Sequence, residues 1–226
     1  MRFGARLGVF SSLLAMVVGV VVFVAMAYLR TNPPTLDLAA GHEAGEPVDM
    51  TLQTVGQIGF GPHPLWVSYL TKSPDGRWVH TTLWDLPART RVNVTLYEFD
   101  SGGPLRNPEM DRVYGTIGND YLLNGKPVSL LDGYRGNGIA HTFSVPALGI
   151  NVPLWGVNGS AKNFCNSAPC PLSDAHNVIQ FSFMTPPRTG QFHWQCFIPC
   201  GLGYLYGNGG PMQTIGYMGG FLKVVD

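Results

Sequence analysis

The fold class is decided by the stretch Arg91-Val-Asn-Val-Thr-Leu-Tyr-Glu-Phe99. Apolar and polar residues alternate along it from Val92 to Tyr97, and this period of two is the pattern of a β-strand that buries one face. The stretch Val178-Ile-Gln-Phe-Ser-Phe183 alternates in the same way. The two stretches therefore predict two strands, each with one buried face.

The rest of the sequence also favours short strands joined by turns. Charged residues make up only 12% of the chain, while 29 glycines and 18 prolines supply many turn positions. After residue 30 no run of ten or more residues keeps an apolar period of 3.6 without Gly or Pro, although 111–131 has room for a short helix or hairpin. The further predicted strands are Leu65–Leu70, Trp78–Leu83, His141–Val145, Gln191–Cys196 and Gly220–Val225. We therefore expect an all-β domain.

The N-terminal segment predicts a membrane anchor. Leu7–Leu29 contains no charged residue, and at about 1.5 Å per residue it is long enough to cross a hydrocarbon core of about 30 Å. A cleaved signal peptide is the alternative, but its apolar core is ordinarily about 7–15 residues, which is shorter than this run. Arg2 and Arg6 precede the segment and only Arg30 follows it. The positive-inside tendency therefore predicts a cytoplasmic N-terminus and an extracytoplasmic remainder.

The chain is predicted to have three parts. They are a transmembrane anchor at 1–30, an extracytoplasmic linker at 31–50 that is rich in Pro, Gly and acidic residues, and one globular domain at 51–226. After the anchor is set aside, the remaining length is enough for one substantial core. Two long connections rich in Gly, Asn and Pro, near 101–138 and 151–175, are interpreted as insertions in this domain.

Charge and cysteine content limit the partners. The 14 basic and 14 acidic side chains give a formal net charge of zero, so nucleic acid is not an expected partner. The four cysteines are Cys165, Cys170, Cys196 and Cys200. In the predicted topology all four lie outside the cytoplasm, where disulfides persist. Three fully paired connectivities are possible, and the spacing alone does not choose between a disulfide and a metal site.

The C-terminal stretch Gln191-Phe-His-Trp-Gln-Cys-Phe-Ile-Pro-Cys-Gly-Leu-Gly-Tyr204 has the composition of a metal-binding loop. It carries two thiols on a tight turn, and Met218 follows later in Gly216-Tyr-Met-Gly-Gly-Phe-Leu-Lys-Val-Val225. Two thiolates and a thioether are soft ligands, and soft ligands favour copper.

This stretch resembles the C-terminal loop of subunit II of cytochrome c oxidase, which has the pattern Cys-x-x-x-Cys-Gly-x-x-His-x-x-Met and holds a binuclear copper centre. The segment around His141-Thr-Phe-Ser-Val-Pro-Ala-Leu-Gly149 is similar to the family segment with the first histidine ligand followed by Val-Pro-x-Leu-Gly. Leu86–Asp100 resembles an early strand of the same fold. These segments cover about a third of the chain. The resemblance implies a cupredoxin-like Greek-key β-sandwich.

The resemblance also implies a ligand set. The first copper of such a centre would be held by His141, Cys196, Cys200 and Met218. Met212 is the competing thioether, and Met218 is preferred because Met-Gly-Gly-Phe-Leu-Lys-Val fits the family's last strand better.

The second copper of the family's centre has only a weak counterpart. Its ligands correspond to the carbonyl of Ile198 and to Tyr204, which stands where the family has a histidine. A Gly-rich insertion of about ten residues then separates Tyr204 from the methionine. A neutral phenol with a pKa near ~10 is a poor replacement for imidazole. At most one copper per chain is therefore predicted.

Each of these residues also has a structural interpretation. His141 can be an ordinary hydrogen-bonded core histidine. Cys196 and Cys200 can form a disulfide, because a four-residue step across a turn brings Cα atoms within the ~4.4–6.8 Å that a bridge requires. Cys165 and Cys170 have no counterpart in the resemblance, and a local disulfide that closes the insertion is predicted for them.

The predicted function is that of a membrane-anchored cupredoxin that transfers electrons through copper as a subunit of a respiratory oxidase or a similar complex. Its partners would be the membrane, other subunits and an electron-donor protein. No motif for a nucleophile–base pair or a carboxylate pair indicates catalysis by the chain alone. One alternative is a structural subunit that kept the fold and lost its copper. Another is a copper-delivery protein, for which a shallow exposed site is expected.

Overall fold

The computed structural model describes residues 2–25, 33–201 and 210–226, and the chain divides into two compact units, 1–32 and 33–226. The first unit contains the helix α1 (Arg2–Val24). Among the helices of the described ranges, none has the length and apolar character needed to cross a membrane. The predicted membrane helix Leu7–Leu29 is therefore not supported by the structure, and its residues 26–29 lie outside the described ranges.

Within the described ranges, the second unit contains thirteen β-strands. In chain order they are β1 (Leu36–Asp37), β2 (Val48–Val55), β3 (Ser68–Lys72), β4 (Trp78–Val79), β5 (Leu83–Pro87), β6 (Arg91–Glu98), β7 (Tyr121–Leu123), β8 (Lys126–Val128), β9 (Ile139–Val145), β10 (Ile150–Trp155), β11 (Asn177–Met184), β12 (Gly190–Gln195) and β13 (Gly219–Val225). The all-β prediction for this unit is confirmed.

The strands form two mixed sheets. The first sheet has the order β1-β5-β13-β12-β9-β10, and the second has the order β4-β3-β2-β6-β11-β7-β8. The pairs β1/β5, β5/β13 and β2/β6 are parallel, and the other pairs are antiparallel. The strand β6, which carries the alternating stretch, lies between β2 and β11 in the middle of the second sheet.

The predicted strand Trp78–Leu83 is wrong as a single strand, because the structure has only Trp78–Val79 in β4 and begins β5 at Leu83. The other strands that the sequence did not predict lie within or beside ranges interpreted as linker or insertion. β1 and the first residues of β2 lie within 31–50, the range predicted as linker. The hairpin β7–β8 lies within the predicted insertion 101–138, and β10 extends into the range 151–175. Parts of these ranges are therefore strands of the two sheets.

The two sheets pack face to face through a core rich in aromatic rings. The Phe143 ring of the first sheet lies 5.4 Å from that of Phe181 in the second sheet, measured between ring centroids. Trp194 stacks on Trp84 at 5.2 Å and on Phe143 at 5.6 Å. A smaller apolar cluster includes Cys165. Ring stacking of this kind adds about 0.5–1.5 kcal/mol per pair to the burial of apolar area.

One position in the core-facing strand β13 depends on the absence of a side chain. Gly220 lies opposite Trp194 in the β12–β13 register, and a Cβ built on it would lie 1.9 Å from the carbonyl oxygen of Thr82. Because that oxygen belongs to the backbone, it cannot move aside cheaply. The close approach of Thr82 to β13 therefore requires glycine at position 220.

We expect Gly220→Ala to lower the free energy of unfolding by about 1–3 kcal/mol, the usual cost of overpacking a core. Gly103→Ala is the control, since a Cβ there meets nothing within 4 Å. Urea unfolding followed by tryptophan fluorescence measures both changes. Equal midpoints for Gly220→Ala and wild type would contradict the close packing of Thr82 against β13.

Candidate metal centre

Neighbouring strands of the first sheet bring three potential ligands together. His141 lies on β9, and Cys196 follows directly after β12, the antiparallel neighbour of β9. Phe192, Trp194 and Cys196 are buried at alternate positions, so the Cys196 thiol projects into the sandwich as the two aromatic rings do. Cys200 lies four residues further on, in the connection that leads towards β13.

The donor atoms of these three residues converge. The two cysteine sulfurs lie 3.5 Å apart, and the Nδ1 atom of His141 lies 3.9 Å from the Cys196 sulfur. One donor atom from each residue lies within 4.8 Å of the other two, and in the described ranges this is the one group of three or more His, Cys, Asp or Glu residues with such spacing. His141, Cys196 and Cys200 are 1%, 0% and 9% exposed. The geometry is that of a small, dry site that suits an ion.

The Cys196 sulfur accepts several hydrogen bonds. The N–H of Thr142 donates to it at 3.4 Å, and the thiol of Cys200 donates to it at 3.5 Å. Burial raises the pKa of Cys196, but hydrogen bonds from Cys200 and His141 outweigh this effect and hold its pKa well below the ordinary value. The hydrogen bond to Cys196 and burial both raise the pKa of Cys200. The two thiols are therefore unequal, and Cys196 is the one that ionises more readily.

Two carboxyl groups that the sequence analysis did not identify lie near His141. Its Nε2 atom is 3.1 Å from Oδ2 of Asp100. Burial lowers the pKa of His141, but the negative charge of Glu98 and the hydrogen bonds to Asp100 and Cys196 raise it well above the ordinary value. The imidazole ring therefore has Asp100 at Nε2 and the Cys196 sulfur at Nδ1, and Glu98 acts on it through charge alone.

Glu98 is fully buried at the end of β6. Its Oε2 accepts a hydrogen bond from the Thr54 hydroxyl, and its Oε1 accepts the N–H of Asp100 at 2.8 Å. Burial raises the pKa of Glu98 to about 8. The alternating pattern of β6 contained a signal for this position, because Glu98 has the same parity as buried Val92, Val94 and Leu96.

Both candidate methionines lie near the cysteines. The Met218 carbonyl accepts the N–H of Cys196 at 2.9 Å, and the Gln195–Gly219 pairing places Met218 opposite Cys196. Residues opposite each other in a sheet project to the same face, and Met218 is fully buried in the main core cluster. The Met212 sulfur instead accepts the N–H of Cys200 at 3.4 Å.

The remaining predicted site residues are placed as follows. The Ile198 carbonyl oxygen lies 3.6 Å from the Cys196 sulfur. Tyr204 lies outside the described ranges. Cys165 and Cys170 form the predicted disulfide, whereas Cys196 and Cys200 are free thiols in this structure.

The donor set fits a soft metal ion. It offers an imidazole nitrogen that faces two sulfurs, and two thioethers lie beside the same loop. Thiolate, thioether and imidazole ligands suit copper, and zinc shares part of this preference. The lowered pKa of Cys196 adds to the fit, because the thiolate is the form that binds metal.

Comparisons with known proteins give low similarity. No family model matches the chain, and no curated protein matches it. Solved structures of the copper protein rusticyanin do match. One has 14% sequence identity and a TM-score of 0.36, and the alignment covers 84% of this chain and 82% of that chain. Another, from Thiobacillus ferrooxidans, has 16% identity and a TM-score of 0.32, with coverage of 84% and 82%. The case for a metal centre rests on the geometry of the three ligands.

Glu98 should make the stability of the metal-free protein depend on pH. The unfolded chain releases this proton near pH 4.5, whereas the folded chain holds it to about pH 8. Between these values the folded state binds more protons, so the contribution of Glu98 to the free energy of unfolding falls as pH rises. We expect Glu98→Gln to remove up to roughly 1.4 kcal/mol per pH unit of this decline.

Urea unfolding of metal-free wild type and Glu98→Gln from pH 5 to pH 8 measures this difference. Exposed Glu46 provides the control variant Glu46→Gln, which should reproduce the wild-type slope. If the free energies of unfolding of wild type and Glu98→Gln change with pH in parallel, the pKa of Glu98 is not raised in the folded protein.

Proposed function

We propose that this chain is a cupredoxin-like protein that binds one copper ion at His141, Cys196 and Cys200 and transfers electrons. The observation that carries the proposal is the convergence of these buried donor atoms within 4.8 Å of one another. The residues come from segments 55 positions apart in the sequence (196 − 141 = 55). They are the ligands that the resemblance to oxidase subunit II implies, and this agreement between motif and geometry supports copper.

Copper, when bound, would supply a one-electron couple. The protein supplies a preorganised thiolate at Cys196, since the hydrogen bonds from Thr142 and Cys200 are present before any ion binds. It also excludes water, since the three ligands are buried. A dry and rigid site favours electron transfer, because little solvent has to reorient when the charge changes.

Met218 is proposed as the thioether ligand. It faces Cys196 across the β12–β13 register and lies on the same side of the sheet. The Met212 sulfur is already engaged by the backbone N–H of Cys200, and thioether sulfur is only a weak acceptor that gains little from a second partner.

We also propose that the domain is anchored to a membrane by 7–29, lies outside the cytoplasm and works in a respiratory complex with an electron-donor protein. The uncharged N-terminal segment supports the anchor, and the Cys165–Cys170 disulfide supports an oxidising compartment. After alkaline carbonate treatment of membranes, the full chain should remain in the pellet. Release into the supernatant would refute the anchor.

The alternative of a structural subunit without copper has one observation in its favour, the replacement of a family histidine by Tyr204. A lapsed site has no chemical reason to keep two free thiols and an imidazole in mutual contact. The buried position of all three ligands also disfavours a copper-delivery protein, which must hand its ion to a partner.

Copper content and spectra test the proposal. Protein loaded with copper should hold at most one ion per chain and show a thiolate-to-copper charge-transfer band without a mixed-valence signature. His141→Ala should abolish the band, and Tyr204→Ala, the matched control, should retain it. Elemental analysis, absorption and electron paramagnetic resonance measure these outcomes. Two coppers per chain, zinc in place of copper, or an unchanged band in His141→Ala would overturn the assignment.

The two methionines form a matched pair for the thioether ligand. Met218→Leu should shift the charge-transfer band and the reduction potential, because leucine keeps the packing and removes the sulfur. Met212→Leu should leave both nearly unchanged. The reverse result would assign the ligand to Met212.

A further inference from the structure

The two nitrogens of the His141 ring have different partners. Nδ1 lies 3.9 Å from the sulfur of Cys196, on the side where the ligands converge. Nε2 points the other way, towards Oδ2 of Asp100 at 3.1 Å. His141 is 1% exposed, and the Asp100 side chain is 21% exposed. Water therefore competes little for the ring, and Asp100 is the partner that determines whether Nε2 carries a proton.

The chemistry of the two groups decides where the ring proton lies. A carboxylate only accepts hydrogen bonds, so Nε2 must carry the proton that it donates to Asp100. Nδ1 is then the nitrogen that faces the cysteine sulfurs. It shares a proton with Cys196 in the metal-free protein, and its lone pair becomes available to a metal ion when that proton is released on binding. Histidines that bind metal through one nitrogen commonly donate the other N–H to a carboxylate, which fixes the tautomer and the ring plane.

Asp100 is itself held in place. Its Oδ1 accepts the N–H of Ser101 at 2.7 Å, and its own N–H donates to Oε1 of Glu98 at 2.8 Å. Its carbonyl accepts the N–H of Val157 at 2.9 Å. The carboxylate also lies against the backbone of Gly56, where an added Cβ would be 2.7 Å from Oδ1. These contacts leave Oδ2 directed at His141.

We infer that Asp100 is a positioning residue that holds the His141 ring with its Nδ1 atom directed towards Cys196 and Cys200. Its use for metal binding rests on the proposed function. The contacts of Asp100 do not depend on that function. Gly56 also contributes to this positioning, because only a residue without a side chain leaves the space that the Asp100 carboxylate occupies.

The variants Asp100→Asn and Gly56→Ala test this inference in the full-length chain. Asp100→Asn keeps the shape of the side chain and removes its charge. Gly56→Ala keeps the charge and displaces the carboxylate. Asp49→Asn is the control, because Asp49 is exposed and its hydrogen-bond partner is Asn93 on the neighbouring strand of the second sheet, not a residue of the site.

Two measurements separate positioning from general stability. The first is the proton resonance of Nε2–H of His141 in metal-free protein, which a carboxylate partner shifts downfield and protects from exchange. The second is the affinity for cobalt(II), used as a spectroscopic probe of thiolate and imidazole ligation. We expect Asp100→Asn and Gly56→Ala to move the proton upfield and to weaken cobalt binding about 10–100-fold. Asp49→Asn should change neither quantity.

The outcomes distinguish this inference from the proposed function. An unchanged proton resonance and unchanged cobalt affinity in Asp100→Asn, with wild type binding cobalt and copper, would overturn the role of Asp100 and leave the metal centre standing. If Asp100→Asn moves the resonance as expected but the wild type binds neither cobalt nor copper, the positioning of the ring by Asp100 is supported. The same result would overturn the proposed function.

Discussion

The structure around the candidate site depends on the hydrogen bonds that converge on one buried sulfur, that of Cys196. A charge taken out of water costs several kcal/mol unless nearby donors compensate for the lost hydration. At Cys196 the donors are the N–H of Thr142, the thiol of Cys200 and the imidazole of His141. Each comes from a different position in the first sheet or its connections. The register of β9 against β12 must therefore be correct before Cys196 can ionise.

The same register connects the site to the packing of the whole sandwich. Cys196 follows directly after β12 and is buried on the same side as Trp194, so the candidate ligand is two positions from the ring at the centre of the aromatic core. Tyr69 of the second sheet packs edge-on against Trp194 at 4.8 Å, and its hydroxyl donates to the carbonyl of Thr142. Both sheets thus restrain the backbone on either side of the ligands. A slip by one residue would turn Cys196 to the surface and expose the core with it.

The alternation of apolar and polar residues was sufficient to predict strands with one buried and one polar face. β6 and β11 have one buried and one polar face, and their alternation was sufficient. β10 was not predicted because it contains Pro153 and lies almost entirely within the range 151–175, which is rich in Gly, Asn and Pro. β2 was not predicted because it begins within a segment whose composition resembles a linker. A composition typical of linkers does not exclude a strand when another strand is available to pair with it. The partner of β2 is β6, which lies some forty residues further along the chain, so the local composition could not reveal the pairing.

The cysteines and His141 of the candidate site could be predicted from the sequence, whereas the two carboxyl groups beside them could not. The cysteines and His141 were found through a motif, which records residue types at set spacing. Glu98 and Asp100 belong to no such motif, although the alternation of β6 already placed Glu98 on the buried face. A carboxylate is ordinarily interpreted as a surface group, and its burial becomes visible only when the partner sheet and Thr54 are in place.

The carboxyl groups explain how a stable fold accommodates a charged interior. The charge of Glu98 and the hydrogen bonds to Asp100 and Cys196 raise the pKa of His141 although burial lowers it, and burial raises the pKa of Glu98 to about 8. A buried ionisable group costs several kcal/mol unless a partner compensates for it, and each of these groups has a hydrogen-bond partner inside the site. Asp100 lies at the partly exposed edge of the site, where water still reaches its side chain. The carboxyl group nearest to solvent therefore holds the Nε2 side of His141, while the fully buried Glu98 takes its hydrogen bonds from Thr54 and from the backbone of Asp100, and this arrangement lets the sandwich accommodate polar groups in its interior.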